Sequence, residues 1–266
     1  MSATAEPSVP VCLIIAGYDP SGGGGVLADL RAARACGARA VAAVTAVTAQ
    51  NTTDLTCMEP VAPELLRAQL DLLLAEFPVG AVKLGMLATA ANAAVVLDAL
   101  RRLPGELPVV LDPVLAATAG GPLFEPDRLD ALRALLPRVT LVTPNLPELA
   151  ALTGIPTDTR EDRRDGALAL LAAGARAVLV KGGHGEGDQV MDELFTAEGV
   201  TEFAHPRLAL PKIRGTGCFL ATAIACCLLG RRPLPDAVAE ARALLLARLG
   251  AAWFPAGGNG LLPDVI

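Results

Sequence analysis

An α/β fold with a mostly parallel central sheet is predicted by three features of this sequence. Short apolar runs alternate with longer segments whose apolar residues recur at helical spacing, and parallel strands need such crossover helices. Glycine and polar residues gather directly after the apolar runs. Apolar residues make up 53% of the 266 residues but aromatic residues only 3%, so small aliphatic side chains must fill the core. Such a core suits helices packed closely on both faces of a sheet.

Strands and helices are expected to alternate through the first half of the chain. Strands are predicted at residues 11–16, 40–47, 81–84 and 109–111. Helices are predicted at residues 26–36, 63–76 and 90–103. Gly37 is a typical helix terminator, and Pro63 is tolerated in a first helical turn.

The alternation continues through the second half. Helices are predicted at residues 126–136, 146–152, 162–173, 217–229 and 234–249. Strands are predicted at 141–143 and 177–181, and residues 191–195 and 200–203 are expected to form a hairpin around Glu198-Gly199. No repeat, low-complexity segment or linker interrupts the pattern. We therefore expect a single domain spanning residues 1–266, with residues 1–10 disordered.

Composition excludes several classes of protein. The net charge of −6 argues against a general nucleic-acid binder, which usually carries a basic face. The six cysteines form no Cys-x-x-Cys pair and there are only two histidines, so a zinc site is not expected. The first ten residues lack a signal peptide, and the longest apolar stretch, 219–229, is too short to span a bilayer. A cytoplasmic protein with reduced thiols and no membrane partner is expected.

Unusual residues follow the predicted strands, where ligands bind in open α/β sheets. The segments are GYDPSGGGG, TAQNT, KLGM, DPV, TPNLPE and KGGHGEG, and GTGC opens a later helix. These segments predict an active-site crevice at one rim of the sheet. Neither the P-loop pattern nor the G-x-G-x-x-G dinucleotide fingerprint occurs, which disfavours P-loop ATPases and ordinary dehydrogenases. Residues 22–25 allow either a close backbone approach to a ligand or a flexible turn.

Gly215, Thr216, Gly217 and Cys218 are the most informative cluster. Two glycines let backbone N–H groups converge, and the helix that follows favours anions at its N-terminus. This turn is therefore expected to hold the charge of a transferring phosphoryl group. The same position is expected to lower the pKa of Cys218, making it a candidate general base. The alternative is a capped helix start with a buried cysteine.

Asp112 and Glu148 follow different strands and offer hard oxygen ligands for Mg²⁺. Asn145 and Glu148 also fit a helix capping box. We expect Asp112 and Glu148 to act through Mg²⁺ rather than as caps. Lys83 and Lys181 end strands and are either phosphate contacts or ordinary surface lysines.

Three further polar residues stand out. Asp29 and Gln50 lie near apolar stretches and either hydrogen-bond a heterocycle or face solvent. A structural role is expected for His184, which has no partner histidine nearby.

Taken in order, several motifs resemble one family. IAGYDPSGGGGVLADL, TAVTAQNT, VKLGML, VVLDPV, LVTPNLPELAALTG, VLVKGGH and GTGC are similar to segments of hydroxymethylpyrimidine/phosphomethylpyrimidine kinases of thiamin biosynthesis. That family belongs to the ribokinase-like superfamily, and the resemblance spans residues 11–262. It implies a ribokinase-like three-layer α/β/α sandwich. It also implies ATP, Mg²⁺ and phosphorylation of 4-amino-5-hydroxymethyl-2-methylpyrimidine and its monophosphate, in a homodimer.

The resemblance also implies roles for individual residues. The implied substrate-binding residues are Gly17, Asp29, Gln50, Met86 and Val114. The implied ATP and Mg²⁺ residues are Asp112, Asn145, Glu148 and Lys181. Gly215, Thr216 and Gly217 would form the anion hole, and Cys218 would take the place of the superfamily's basic aspartate.

Some positions depart from the family pattern. Arg214 stands where the family commonly has histidine before Gly-Thr-Gly-Cys, Phe219 replaces a polar residue, and Tyr18 replaces a small one. Two other functions are weighed against the first, a pyridoxine or pyridoxal kinase and a non-catalytic pyrimidine-binding module. Residues 115–120 lack the cysteine found in some pyridoxal kinases. A pure binder would not need Asp112, Glu148, Lys181 and Cys218 together.

Overall fold

The computed structural model describes residues 9–117, 120–184 and 187–263 of the chain. The expected disorder of residues 1–10 falls mainly on residues 1–8, which lie outside the described part. The strands are β1 Val11–Tyr18, β2 Ala40–Gln50, β3 Leu55–Pro60, β4 Val79–Leu84, β5 Val109–Leu111, β6 Leu141–Val142, β7 Val178–Val180, β8 Gln189–Thr196, β9 Gly199–Pro206, β10 Ile213–Arg214 and β11 Gly260–Leu261. The helices are α1 Gly25–Ala35, α2 Pro63–Glu76, α3 Ala90–Arg101, α4 Asp130–Arg133, α5 Leu146–Thr153, α6 Arg160–Ala172, α7 Thr216–Leu229 and α8 Leu234–Leu249.

Within the described residues, nine strands form one sheet in the order β3-β2-β1-β4-β5-β6-β7-β8-β9. The strands from β2 to β7 in this order run parallel. At the two edges, β3 pairs antiparallel with β2, β8 with β7 and β9 with β8. The chain moves from β1 outward to β2 and then returns to β4 on the other side of β1. This reversal creates a crevice at the carboxyl ends of β1 and β4, where ligands bind in such sheets.

The two faces of the sheet are covered by different helices. Leu13 and Ile15 of β1 pack with residues of α2 to α6, whereas Cys12 and Ile14 pack with α1, α7 and α8. Successive strand residues point to opposite faces, so a strand buried on both sides is apolar throughout. The predicted mostly parallel α/β/α sandwich is thereby confirmed. None of the described helices is long and apolar enough to cross a membrane.

The structure differs from the sequence prediction at three places. The helix predicted at 126–136 is reduced to α4, followed by a 3₁₀ turn at Leu136–Arg138 that contains Pro137. The edge strand β3 was not predicted, because most of its residues are at least partly exposed and it lacks an apolar run. The short strands β10 and β11 were also missed, and they pair with each other, away from the main sheet.

Candidate active site

A cleft opens at the carboxyl ends of β1, β2 and β4. Several residues predicted from the sequence line it. They are Gly17, Gln50, Met86, Val114, Gly215 and Cys218. The first two strands supply one wall of the cleft and the start of α7 supplies another. Residues of the predicted substrate-binding and anion-binding segments therefore line the same cleft.

Glycines allow the loops around the cleft to approach each other closely. Gly215 has a φ of +75°, and a Cβ there would meet the carbonyl oxygen of Gly23. A Cβ on Gly17 would lie 2.8 Å from the Sδ atom of Met86. The loop after β1 and the turn before α7 can pack this tightly only because both lack side chains at these positions.

The start of α7 forms a cradle with charged groups opposite it. A Cβ on Gly217 would lie 3.2 Å from Lys181 Nζ and 3.7 Å from Asp112 Oδ2. Gly215 is the N-cap and has no side chain to accept from the first N–H groups of the helix, so these donors are available to a ligand. A helix N-terminus beside a lysine is suited to phosphate.

Asp112 and Lys181 form a close ion pair below the cradle. Lys181 Nζ lies 2.7 Å from Asp112 Oδ1 and 3.9 Å from Glu148 Oε2. Burial alone would lower the pKa of Lys181, but the carboxylates of Asp112 and Glu148 outweigh it and hold that pKa above its usual value. The pKa of Asp112 is lowered, since Lys181 and Lys83 outweigh its burial. Both groups are therefore charged at neutral pH.

Glu148 takes part in a helix cap and also faces Lys181. Its backbone N–H donates to Asn145 Oδ1 at 2.9 Å, and its Oε2 accepts from the Asn145 N–H at 2.8 Å, which completes the capping box of α5. The expectation that Glu148 is not a helix cap is therefore wrong. The same carboxylate faces Lys181, and burial raises its pKa to about 7.

The carboxylates of Asp112 and Glu148 can supply part of the coordination shell of a magnesium ion. Asp112 and Glu148 offer hard oxygen atoms around the ammonium of Lys181, so a cation already sits between them. In the described part of the chain, no three His, Cys, Asp or Glu residues group as a metal site. Mg²⁺ commonly takes one or two carboxylates and fills its other positions with phosphate and water. The donor set present here suits that mode of binding.

Asp29 lies behind the cleft wall rather than on it. Its side chain is fully buried, with Oδ2 lying 2.6 Å from Lys83 Nζ and Oδ1 accepting from Thr222 Oγ1 at 2.8 Å. Lys83 is also fully buried, and Asp29 helps to raise its pKa although burial acts in the opposite direction. The expected direct contact between Asp29 and a heterocycle is corrected accordingly. Lys83 lines the cleft, and Asp29 fixes its position.

The pKa of Cys218 differs from the sequence expectation. Burial raises it to about 11, and the nearby Lys83 ammonium only partly offsets that effect. The predicted lowering of the pKa is therefore wrong, because burial and the carboxylates of Asp29 and Asp112 raise it more than Lys83 lowers it. At neutral pH Cys218 is a thiol that lies on the cleft wall.

Arg214 fills the end of the cleft near β2. Its Nη2 lies 3.3 Å from Asp19 Oδ2 and 3.0 Å from Gln50 Oε1, and its Nη1 donates to the carbonyl oxygen of Asn51. β10 holds Arg214 by pairing with β11, where Arg214 is aligned with Leu261. The sequence marked Arg214 only as a departure. It gave no sign of these contacts, since the partners are distant along the chain.

Two comparisons of sequence agree with this geometry. The profile of the phosphomethylpyrimidine kinase family matches residues 19–262. A hydroxymethylpyrimidine/phosphomethylpyrimidine kinase of Salmonella typhimurium is 42% identical over 94% of this chain and 95% of its own. The enzyme of the same name from Aquifex aeolicus is 35% identical over 87% of this chain and 91% of its own.

Solved structures include two kinds of vitamin kinase. A phosphomethylpyrimidine kinase from Clostridium difficile has a TM-score of 0.78 at 29% identity, covering 90% of this chain and 98% of its own. An ADP complex of Bacillus subtilis pyridoxal kinase has a TM-score of 0.87 at 27% identity, covering 97% and 98%. The backbone is thus shared by both kinds, while the sequence profile matches the former over most of the chain. The chain belongs to the phosphomethylpyrimidine kinase family.

Proposed function

We propose that this protein transfers the γ-phosphoryl group of ATP to 4-amino-5-hydroxymethyl-2-methylpyrimidine and then to its monophosphate. One observation carries the proposal. A single cleft joins a wall made of Gln50 and Met86 to an anion cradle at Gly215 and Cys218. This arrangement sets a heterocycle beside the site where a phosphoryl group would be held.

The heterocycle is assigned to the end of the cleft near β1 and β2. Met86 and Val114 provide apolar surface, and Gly17 lets the Met86 side chain pack closely against the end of β1. Gln50 provides the polar contact. Gln50→Ala should weaken pyrimidine binding about 10- to 100-fold while leaving ATP binding nearly unchanged, because one buried hydrogen bond is lost.

The triphosphate of ATP is assigned to the cradle. The N–H groups of Gly215, Thr216 and Gly217 would bind the transferring group, and Lys181 and Asn145 would contact the other phosphates. Asp112 and Glu148 would hold Mg²⁺, which neutralises phosphate charge during transfer. Charge neutralisation and positioning account for most of the rate in phosphoryl transfer.

Cys218 is assigned to the reacting end of the acceptor. It lies on the cleft wall at the first turn of α7, beside the charge of Lys83. As a thiolate it would accept the proton of the acceptor alcohol. A monophosphate acceptor is already ionised and needs no base.

We further propose a cytoplasmic homodimer. The six cysteines are free thiols in this structure, as expected for a reducing compartment.

A pyridoxal kinase remains the second candidate, favoured by the TM-score of 0.87 against the Bacillus subtilis enzyme. A non-catalytic pyrimidine binder is disfavoured. The charged cluster of Asp112, Lys181 and Glu148 has no use in binding a neutral ring.

The test is a product assay with purified protein, ATP and Mg²⁺. The pyrimidine alcohol, its monophosphate and pyridoxal are supplied separately, and products are identified by mass spectrometry. We expect monophosphate from the alcohol and diphosphate from the monophosphate. Faster phosphorylation of pyridoxal than of the alcohol would favour the second candidate, and no product from any acceptor would favour the binder.

A further inference from the structure

The buried guanidinium of Arg214 contacts two segments at the end of the cleft near β1 and β2. It contacts Asp19 in the loop after β1, Gln50 at the end of β2 and the backbone of Asn51 beyond it. The side chains of Arg214 and Asp19 are 6% and 3% exposed, so water barely competes for the bond between them. Arg214 and Gln50 both line the cleft. The arginine is therefore placed to set the position of the side chain that would bind the ring.

The chemistry of arginine settles which way the Gln50 amide points. A guanidinium group has only donors, so the amide atom 3.0 Å from Arg214 Nη2 must be the oxygen. The amide nitrogen then lies on the other side of the group, with two N–H donors. A residue at position 214 that could also accept a hydrogen bond would allow the Gln50 amide to take either orientation.

The ion pair with Asp19 partly balances the positive charge of Arg214. Asp19 Oδ2 lies 3.3 Å from Arg214 Nη2, and Asp19 Oδ1 accepts from Ser21 Oγ at 2.7 Å. The guanidinium charge is thus balanced within the wall. This end of the cleft therefore does not require an anion to balance its charge, and it can receive a neutral ring.

We propose that Arg214 is a positioning residue that orients the Gln50 amide, so that its N–H donors select a heterocycle presenting an unprotonated ring nitrogen. The inference rests on the proposed function for the identity of the ring. It adds a specificity determinant at a position where this chain departs from its family.

The first test uses Gln50→Glu. Glutamate keeps an oxygen for Arg214 and the shape of the side chain, but it has no N–H donor. Calorimetric titration with the pyrimidine alcohol should show a dissociation constant about 10- to 100-fold higher than that of the wild type, with ATP affinity unchanged. Wild-type affinity for the alcohol in this variant would overturn the proposal.

The second test uses Arg214→Met, which removes the donors and frees the amide to rotate. We expect KM for the alcohol and for its monophosphate to rise together by about tenfold, with a smaller change in kcat. Arg214→Lys, which is also donor-only, should recover part of the loss. A rise confined to the monophosphate would show instead that Arg214 binds phosphate, and would overturn the proposal.

Arg242→Met is the matched control. Arg242 is also buried and paired, lying 2.8 Å from Asp192 Oδ2 of β8, which lies toward the opposite edge of the sheet from β2. This variant should lose stability without raising KM. If Arg242→Met raises KM for the alcohol as much as Arg214→Met does, a general loss of stability explains both effects and the proposal fails.

A ring analogue completes the experiment. The wild type should bind the alcohol with its ring nitrogens better than analogues in which each nitrogen in turn is replaced by C–H. At least one replacement should lower the affinity of the wild type about tenfold or more, and it should lower the affinity of Gln50→Glu much less. Equal losses in both proteins would overturn the assignment. If the wild type binds the alcohol but does not phosphorylate it, only the proposed function fails, and absence of binding would overturn both.

Discussion

The pH dependence of phosphoryl transfer should reveal whether Cys218 takes the proton of the acceptor alcohol. Burial raises its pKa to about 11, so only about one molecule in 10⁴ carries the thiolate at pH 7. Between pH 7 and pH 9 the thiolate fraction rises about 100-fold. If the thiolate is the base, the rate with the alcohol should rise in the same proportion.

The comparison with the monophosphate isolates this effect. The ionisation of Glu148, with its pKa of about 7, affects transfer to both acceptors alike. The ratio of the alcohol rate to the monophosphate rate therefore cancels it. Single-turnover rates from pH 6.5 to 9.5, measured with both acceptors at saturation, should give a ratio that climbs about tenfold per pH unit.

Two variants sharpen the same measurement. Cys218→Ala should give a ratio that does not change with pH, so its deficit against the wild type should widen as the pH rises. Cys218→Asp supplies a carboxylate that stays largely ionised, so its ratio should be higher at pH 7 and nearly level. A wild-type ratio that is constant between pH 7 and pH 9 would refute the assignment of Cys218 as the base.

Three further perturbations test the charged cluster and the cradle. Burial raises the pKa of Glu148 to about 7, so ionisation of this side chain opposes folding. In urea titrations without Mg²⁺, the stability of Glu148→Gln should match that of the wild type near pH 4.5 and exceed it by about 3 kcal/mol at pH 8. The variant should also transfer phosphate much more slowly. Lower stability than the wild type at pH 8 would contradict this. Asp29→Asn leaves the Lys83 charge buried without its counter-ion and should lower the free energy of unfolding in urea by about 3–5 kcal/mol. The double variant Asp29→Leu with Lys83→Met should recover most of this stability. An unchanged unfolding midpoint in Asp29→Asn would show that the pair is not ionic. Gly217→Ala adds a Cβ 3.2 Å from Lys181 Nζ and should raise KM for ATP with no loss of melting temperature, whereas unchanged ATP kinetics would place the triphosphate elsewhere.

The alternating pattern of apolar runs was enough to predict most of the sheet. Strand interiors such as residues 11–16 are buried on both faces, and that burial leaves a direct mark on the sequence. The edge strand β3 carries no such mark because it is partly exposed. The glycines before α7 were also informative, since only a residue without a side chain allows the close approach seen at Gly215.

The electrostatics of the site could not be predicted in the same way. Asp29 and Lys83 lie 54 positions apart, and nothing local indicates that they pair. The helix start suggested a low pKa for Cys218, but burial depends on neighbours from several elements and acts more strongly. Glu148 fitted both a cap and a ligand, and the structure shows that one carboxylate can face both partners.

The pairing of β10 with β11 has a consequence for folding during synthesis of the chain. Ile213 and Arg214 are aligned with Gly260 and Leu261, and Asn259 Nδ2 donates to the carbonyl oxygen of Thr52 at 2.6 Å. A chain emerging from the ribosome folds from its N-terminal side, so β1, β2 and the cradle can form while the partner of β10 is still untranslated. Because α7 and α8 lie between β10 and β11 along the chain, the wall that holds Arg214 can be completed only after both helices have been synthesised.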